Sequence, residues 1–266
     1  MTAPVRSGVS GTLMVVEGRL RVSQRFLWSN LFGSVVAPLL YLVALGVGLG
    51  SLVNARNGAA SLDGVTYVQF LAPALLTAAA VQTAFGEASY PVLGGFKWTQ
   101  VFWGITATPV TPRQIADGQI VYIGLRLTFG SVIYYLAVLA FGAAGRPTGL
   151  LMIPIAVLTG LSCAVWIVAL SAVLIKDGQA FNTVFRFVLI PMTLVSGSFF
   201  PISQLPVAAR PLAWVSPLWH GNELARGVAL GGWRWWPELG HLALLVGLTA
   251  IGWRVAQAKF DQRLVV

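Results

Sequence analysis

The sequence is short of charge, of cysteine and of histidine. Only 9% of its 266 residues are charged, where an ordinary soluble domain has about 25%. Seventeen basic and eight acidic side chains cannot cover a soluble domain of this length, which excludes an ordinary cytosolic enzyme. A composition that is 57% hydrophobic excludes a disordered chain. The single cysteine, Cys163, excludes a secreted disulfide scaffold. His220 and His241 are the only histidines. His220 and Glu223 stand at i, i+3, but no third ligand accompanies them, so no metal is expected. The motifs G-x-S-x-G, H-E-x-x-H and G-x-x-x-x-G-K-[ST] are missing, which argues against catalysis and against a P-loop for ATP in this chain.

What the sequence has in quantity is apolar length. About 20 mostly apolar residues cross a bilayer as a helix, and six stretches qualify: 31–53, 64–88, 117–143, 148–175, 180–199 and 237–257. The expected fold is therefore all-α and integral to the membrane, with six transmembrane helices. The net charge of +9 is scattered rather than gathered on one face, so nucleic acid is not an expected partner. With both termini on one side, that side receives Arg6, Arg19, Arg21, Arg25, Lys97, Arg113, Lys176, Lys259 and Arg263. The other receives Arg56, Arg146, Arg210, Arg226 and Arg234. The positive-inside rule then places both termini in the cytoplasm.

Residues 1–30 form a cytoplasmic N-terminal segment rather than a secretory signal, because no uninterrupted apolar run or cleavage pattern is present. Residues 31–266 form one six-span domain. Within 9–28, Val9, Leu13, Val16, Leu20 and Leu27 recur at helical spacing beside a file of Glu17, Arg21 and Arg25. Glu17 is placed to pair with Arg21. This predicts an amphipathic helix lying among lipid headgroups, against the plainer alternative of a cytoplasmic lead-in.

Two connections are too long for turns. Residues 89–116 carry Gly94, Gly95, Pro109 and Pro112 around a short aromatic stretch, which predicts a small helix bracketed by breakers. Phe96, Trp98, Phe102 and Trp103 are costly to leave in water and call for headgroups or a protein partner. Residues 196–236 hold Trp214, Trp219, Trp233, Trp235 and Trp236, with Pro201, Pro206, Pro211 and Pro217 close together. That is too apolar for a free loop and too proline-rich for a span. It predicts re-entrant helices on the outer side, between spans five and six, covered by protein.

The order of these segments resembles the ABC-2 type exporter permeases, in their nodulation-export and daunorubicin-resistance branch. Ser196-Gly197, Phe200-Pro201, Leu205-Pro206, Pro217 and a closing Arg226-Gly227 match that family's outer element. F-L-A-P-A-L-L, F-G-E-A-S-Y and A-T-P-V-T-P-R-Q-I-A-D-G match its second span and following loop. The resemblance implies a permease subunit working with a second permease copy or sibling in a bacterial cell membrane. It implies two ATP-binding subunits that carry ATP and Mg, this chain holding no cofactor. It also places a coupling helix within 91–108, so Phe96, Lys97, Trp98, Phe102 and Trp103, with Glu87 at the end of span two, are the expected ATPase contacts. The plainer reading of Glu87 is a helix-end charge paired with Lys97 or Arg113. Pro201, Pro206, Pro217 and Arg226 belong to the re-entrant element.

Few ionisable groups lie well inside the spans, which disfavours ion coupling and favours an external motor. Arg126 is the clearest intramembrane charge, either snorkelling to headgroups or facing a passage for an anionic group. Polar groups within spans favour interior or aqueous faces, so Tyr41, Gln69, Thr77, Gln82, Tyr122 and Arg126 are the candidates for the substrate path. Spans one to five hold a single tryptophan, Trp166, which leans towards an amphiphilic or lipid-like cargo rather than a bare polysaccharide. The competing classes are an intramembrane transferase, which would need a cluster of His, Asp or Glu, and a passive channel.

Overall fold

The computed structural model describes residues 8–24, 36, 40, 42–49, 65–140, 146–175, 178–231, 233 and 235–265, and among these there are helices and no strand. Helix α1 is Gly8–Gln24 and α2 is Tyr67–Ala88. The short helices α3 (Tyr90–Lys97) and α4 (Val101–Thr106) follow. Next come α5 (Pro112–Ala140), α6 (Met152–Val173) and α7 (Gln179–Val195, with a wide turn at Phe185–Leu189). Helices α8 (Arg210–Val215), α9 (Pro217–Leu230) and α10 (Trp235–Leu264) complete the order.

Among the described residues four stretches are long and apolar enough to cross a membrane: Tyr67–Lys97, Pro112–Ala140, Pro147–Val173 and Trp235–Leu264. They coincide with expected spans two, three, four and six. The expected fifth span appears as the shorter apolar helix α7. Most of the expected first span lies outside the described residues, apart from the helical stretch Leu42–Leu49 and two single positions.

Local chemistry sets where these helices begin. Thr66 caps α2: its hydroxyl accepts from the Gln69 amide, and the Gln69 side chain accepts from the Thr66 amide. Thr111 and Gln114 repeat the same reciprocal pair ahead of α5, with Pro112 in the first turn. Helix α9 opens on Pro217 and stops at Gly231, which has φ +84°. A side chain at that position would be strained and would also collide with the Arg146 guanidinium.

In a bilayer, helices gain little by hiding apolar surface from one another, so close packing must hold them together. The sequence supplies small residues for it. Helix α2 buries Ala72, Ala74, Ala80, Ala84 and Ala88, and α6 buries Ala156, Gly160, Ala164 and Ala172. Helix α6 stands at the centre, against α2, α5, α9 and α10. The outward face of α5 is Leu125, Phe129, Val132, Leu136 and Leu139, all exposed and spaced three and four apart. An apolar stripe turned away from the core at helical period is what hydrocarbon permits and water does not.

The bundle has two distinct ends. Ser171 near the end of α6 donates to the Ala88 carbonyl at the end of α2 (2.8 Å). Arg263 at the end of α10 donates to the carbonyls of Ser171, Ala172 and Leu174. Helices α2, α6 and α10 therefore run parallel and finish together, beside α3, α4 and α1. At the opposite end, the Tyr67 hydroxyl donates to the Phe199 carbonyl and Thr148 to the Val228 carbonyl. The long connections 89–116 and 196–236 thus sit at opposite ends of the bundle.

Helix α1 docks on α5 with a face that differs from the expected stripe. Gly11 meets Gln114, Val15 meets Gly118, and Arg19 lies over the Tyr122 ring. These contacts advance four residues on each helix, so α1 runs alongside the first turns of α5. Val15 and Val16 are buried, whereas Leu13, Met14, Leu20 and Val22 face outward. The small residues at 11 and 118 decide the face, because only there can the two backbones approach closely. Arg21 donates to Glu17 as the spacing predicts; Arg25 and Leu27 lie outside the described residues.

This docking makes Gly118 a sensitive position. A Cβ at Gly118 would stand 2.5 Å from the nearest Val15 carbon, and overpacking of that kind costs about 1–3 kcal/mol. Gly118→Leu is expected to undock α1 and speed tryptic cleavage after Arg19 and Arg21 about tenfold. Unchanged cleavage would show that α1 is held elsewhere.

Candidate functional site

At the end of the bundle where α2, α6 and α10 finish, the aromatic connection divides into two sets. Phe96 and Phe102 are 3% and 2% exposed and pack on Phe260 of α10. The ring centroids of Phe96 lie 4.8 Å from both Phe102 and Phe260. The Arg263 guanidinium covers Phe96 at 4.1 Å while its Nη1 holds the terminal carbonyls of α6. The expectation that all four rings need an outside partner is corrected here: the two phenylalanines find theirs within the chain. Trp98 and Trp103 do not. They are 60% and 37% exposed, Trp98 stacking on the exposed Tyr90. Between them Gln100 adopts φ +50°, a left-handed turn that reverses the chain from α3 into α4. Lys97 is half-buried in the last turn of α3.

Glu87 and Arg126 form a buried ion pair near this end, Nε to Oε1 at 3.2 Å across α2 and α5. Both are largely buried, at 16% and 8% exposure. Glu87 is therefore not paired with Lys97 or Arg113, and Arg126 does not snorkel. Arg113 instead pairs with Asp261 of α10. Arg19 joins the cluster from α1, stacked 4.9 Å from the Tyr122 ring centroid. Burial pushes the Arg19 guanidinium below its ordinary pKa, and nearby Tyr122 and Glu87 oppose that shift. Asp117 accepts from Trp253 Nε1 (2.6 Å) and Gln257 Nε2 (2.7 Å), fastening α5 to α10.

The candidate path residues separate by position. Tyr41 lies outside the described residues. Gln69 belongs to the cap of α2, and Tyr122 is buried beneath Arg19. Thr77 is fully buried and donates to Asn222 of α9, an inter-helix tie rather than an open surface. Gln82 faces outward on α2. Arg126 borders a cleft between α2 and α5 that Ala79, Thr83, Gly130, Ser131 and Tyr134 also line. The Tyr134 hydroxyl is buried there with no hydrogen-bond partner. Thr83, Ser131 and Tyr134 were not singled out from sequence. The signal available was their hydroxyls at helical spacing, which inter-helix hydrogen bonds mimic.

The opposite end is knit by polar side chains. Asn222 donates to the Ser196 carbonyl and to Ser198 Oγ, each at 3.0 Å. Arg226 donates to the carbonyls of Phe70 (3.2 Å) and Gly197 (2.6 Å), and its guanidinium lies 3.8 Å from the Phe70 ring centroid. Glu223 balances its charge at 3.5 Å. Pro201 and Pro206 each lead into a single tight turn, Ile202–Gln204 and Val207–Ala209, and Pro217 opens α9. His220 faces His241 of α10, Nδ1 to Nδ1 at 2.6 Å, rather than pairing with Glu223. No group of three His, Cys, Asp or Glu side chains that could hold a metal occurs among the described residues.

Asn222→Leu removes three buried hydrogen bonds at once, to Thr77, the Ser196 carbonyl and Ser198, although Thr77 keeps the Ala74 carbonyl and Ser198 keeps Ser196. A loss of about 2 kcal/mol is expected, read as a fall of roughly 4–8 °C in the Tm of the purified protein. An unchanged Tm would remove this network from the forces holding α9.

Known proteins resemble this chain over most of its length. The chain is 28% identical to nodulation protein J of Rhizobium leguminosarum bv. viciae over 223 residues, covering 84% of this chain and 82% of that protein. It is 26% identical to nodulation protein J of Rhizobium meliloti (strain 1021), covering 82% and 79%. The inner membrane transport permease YadH of Escherichia coli (strain K12) is 25% identical, covering 70% and 71%. Members of the family to which these comparisons lead are transmembrane transport subunits that work with separate ATP-binding subunits. The family description "ABC-2 type transporter" matches residues 16–230, from within α1 to the end of α9, and the chain belongs to that family.

Proposed function

We propose that this chain is the membrane half of an ATP-driven exporter that moves an amphiphilic or lipid-like molecule out of the cytoplasm or inner leaflet. Six spans cross the membrane, the first within 31–53, with both termini cytoplasmic. Two ATP-binding subunits, holding ATP and Mg, dock at the end carrying α3 and α4. A second permease, either another copy of this chain or a sibling, completes the passage. The observation that carries this reading is the exposure of Trp98 and Trp103 on either side of the Gln100 reversal, while Phe96 and Phe102 anchor the same segment to α10. Such an element is fixed at its base and apolar at its tip, so a push on the tip reaches α10 and the ends of α2 and α6.

In this mechanism, closing of the ATP-binding pair tilts α3 and α4, and Phe96, Phe102 and Phe260 pass the displacement to the helix ends. Glu87 and Arg126 tie α2 to α5 beside the cleft, and Gln82, Thr83 and Arg126 offer polar groups to a passing headgroup. The outward Leu13, Leu20 and Val22 of α1 enter the headgroup layer. At the far end, α8 and α9 form the re-entrant element, with Arg226 and Asn222 supplying the hydrogen bonds that irregular backbone needs in lipid.

The test is co-expression of this chain with an ATP-binding subunit of the same family, followed by purification through a tag on this chain. The expected result is a complex of two and two subunits. Recovery of the permease alone under conditions that keep it folded would contradict the reading.

A further inference from the structure

A cavity of about 350 Å³ lies between α7 and the bundle, and no step of the transport mechanism above uses it. Its wall on α7 is Val184, Val188, Leu189 and Met192. These positions span eight residues, or about 12 Å of helix. Val81 and Phe85 of α2, Cys163 and Trp166 of α6 and Leu248 of α10 face them. The one hydroxyl in the lining, on Ser162, already donates to the Thr159 carbonyl at 2.8 Å. The rim is open and apolar, with Trp166, Val188 and Val215 exposed.

We infer that this cavity is a binding site for one acyl chain of a membrane phospholipid. Water is a poor occupant, because a buried water needs two to four polar partners and the lining offers almost none. A helix of a second copy is about 10–12 Å across with its side chains; it could cover the mouth but not enter. A slender, flexible hydrocarbon chain fits both the elongated shape and the lining. Three of the helices long and apolar enough to cross a membrane, α2, α6 and α10, line it, so hydrocarbon is the surrounding solvent. The wide turn Phe185–Leu189 and Pro191 interrupt the regular hydrogen-bond ladder of α7 where it borders the cavity. The site is independent of the exported cargo and bears on how α7 is seated.

The full chain is reconstituted with a phosphatidylethanolamine that carries a diazirine midway along one acyl chain, then irradiated, and the adducts are mapped by peptide mass spectrometry. Adducts at Cys163 and Met192 are expected to exceed those at Phe129 and Leu136, on the outward stripe of α5, about tenfold. Val188→Trp and Leu248→Trp fill the cavity from different helices. Each is expected to cut labelling at Cys163 about tenfold, because evicting two methylenes already forfeits that much affinity. Labelling at Phe129 stays unchanged. Should one variant fail to insert, the other and the wild-type ratio decide. Equal labelling at all four positions, or a Cys163–Cys163 cross-link between two copies that excludes the lipid, would overturn the proposal.

Discussion

Arg126→Ala is expected to lower the stability of the protein by about 3–5 kcal/mol, the usual cost of leaving one member of a buried ion pair unpartnered. In a chain of this size that is a fall of roughly 10 °C in Tm. Among the described residues Arg126 is the cation in contact with Glu87, while Arg113 holds Asp261. Arg19 offsets part of the loss, being near enough to Glu87 to feel its charge. The double variant Glu87→Gln with Arg126→Ala removes both charges together. It is expected to recover about 2 kcal/mol relative to the sum of the single changes. Thermal unfolding of the four proteins closes the cycle. If the double change costs as much as the two singles added, the residues do not act as a pair, and the link between α2 and α5 lies elsewhere.

Trp98→Ala combined with Trp103→Ala is expected to abolish recovery of the ATP-binding subunit while leaving the permease folded. Exposed side chains removed from a surface alter stability by only about 0.5 kcal/mol. Large aromatic anchors at an interface cost about 2 kcal/mol or more each when truncated. Two of them reduce affinity by roughly a hundredfold to a thousandfold. Phe96→Ala and Phe102→Ala serve as the contrast, because they open space beneath Phe260 and the Arg263 guanidinium. Those changes are expected to cost about 3–5 kcal/mol of stability each, and to weaken the complex only through unfolding. Measuring both Tm and the yield of the ATP-binding subunit separates the two pairs. Loss of binding without loss of stability in the phenylalanine variants would reverse the assignment.

The spans were legible because their signal is compositional and local. Thr66 and Thr111 mark two helix starts by their own spacing to Gln69 and Gln114, and the four long helices overlap the expected stretches, although α5 begins at Pro112 rather than 117 and α10 runs on to Leu264 rather than 257. The site was legible in kind but not in facing. Phe96, Trp98, Phe102 and Trp103 look alike in sequence, and the left-handed Gln100 that sorts them into buried and exposed pairs is invisible there. Glu87 and Arg126 are 39 residues apart on different helices, so their pairing depends on the rotation of both helices. Sequence proximity pointed to Lys97 and Arg113 instead. The face by which α1 docks on α5 was hidden for a related reason. Aliphatic period suggested Leu13 and Leu20, but in lipid the closest approach is made by small residues, and Gly118 places it at Val15.

The central claim is that this chain transports only when driven by ATP bound to another subunit. Its most direct measurement is flux of a fluorescent amphiphile across vesicles containing the permease, with and without its ATP-binding partner and with and without ATP and Mg. The account predicts directional flux when all components are present, and near-background flux when ATP, the partner subunit or Trp98 and Trp103 are removed. Flux through the permease alone would contradict it and mark a passive channel.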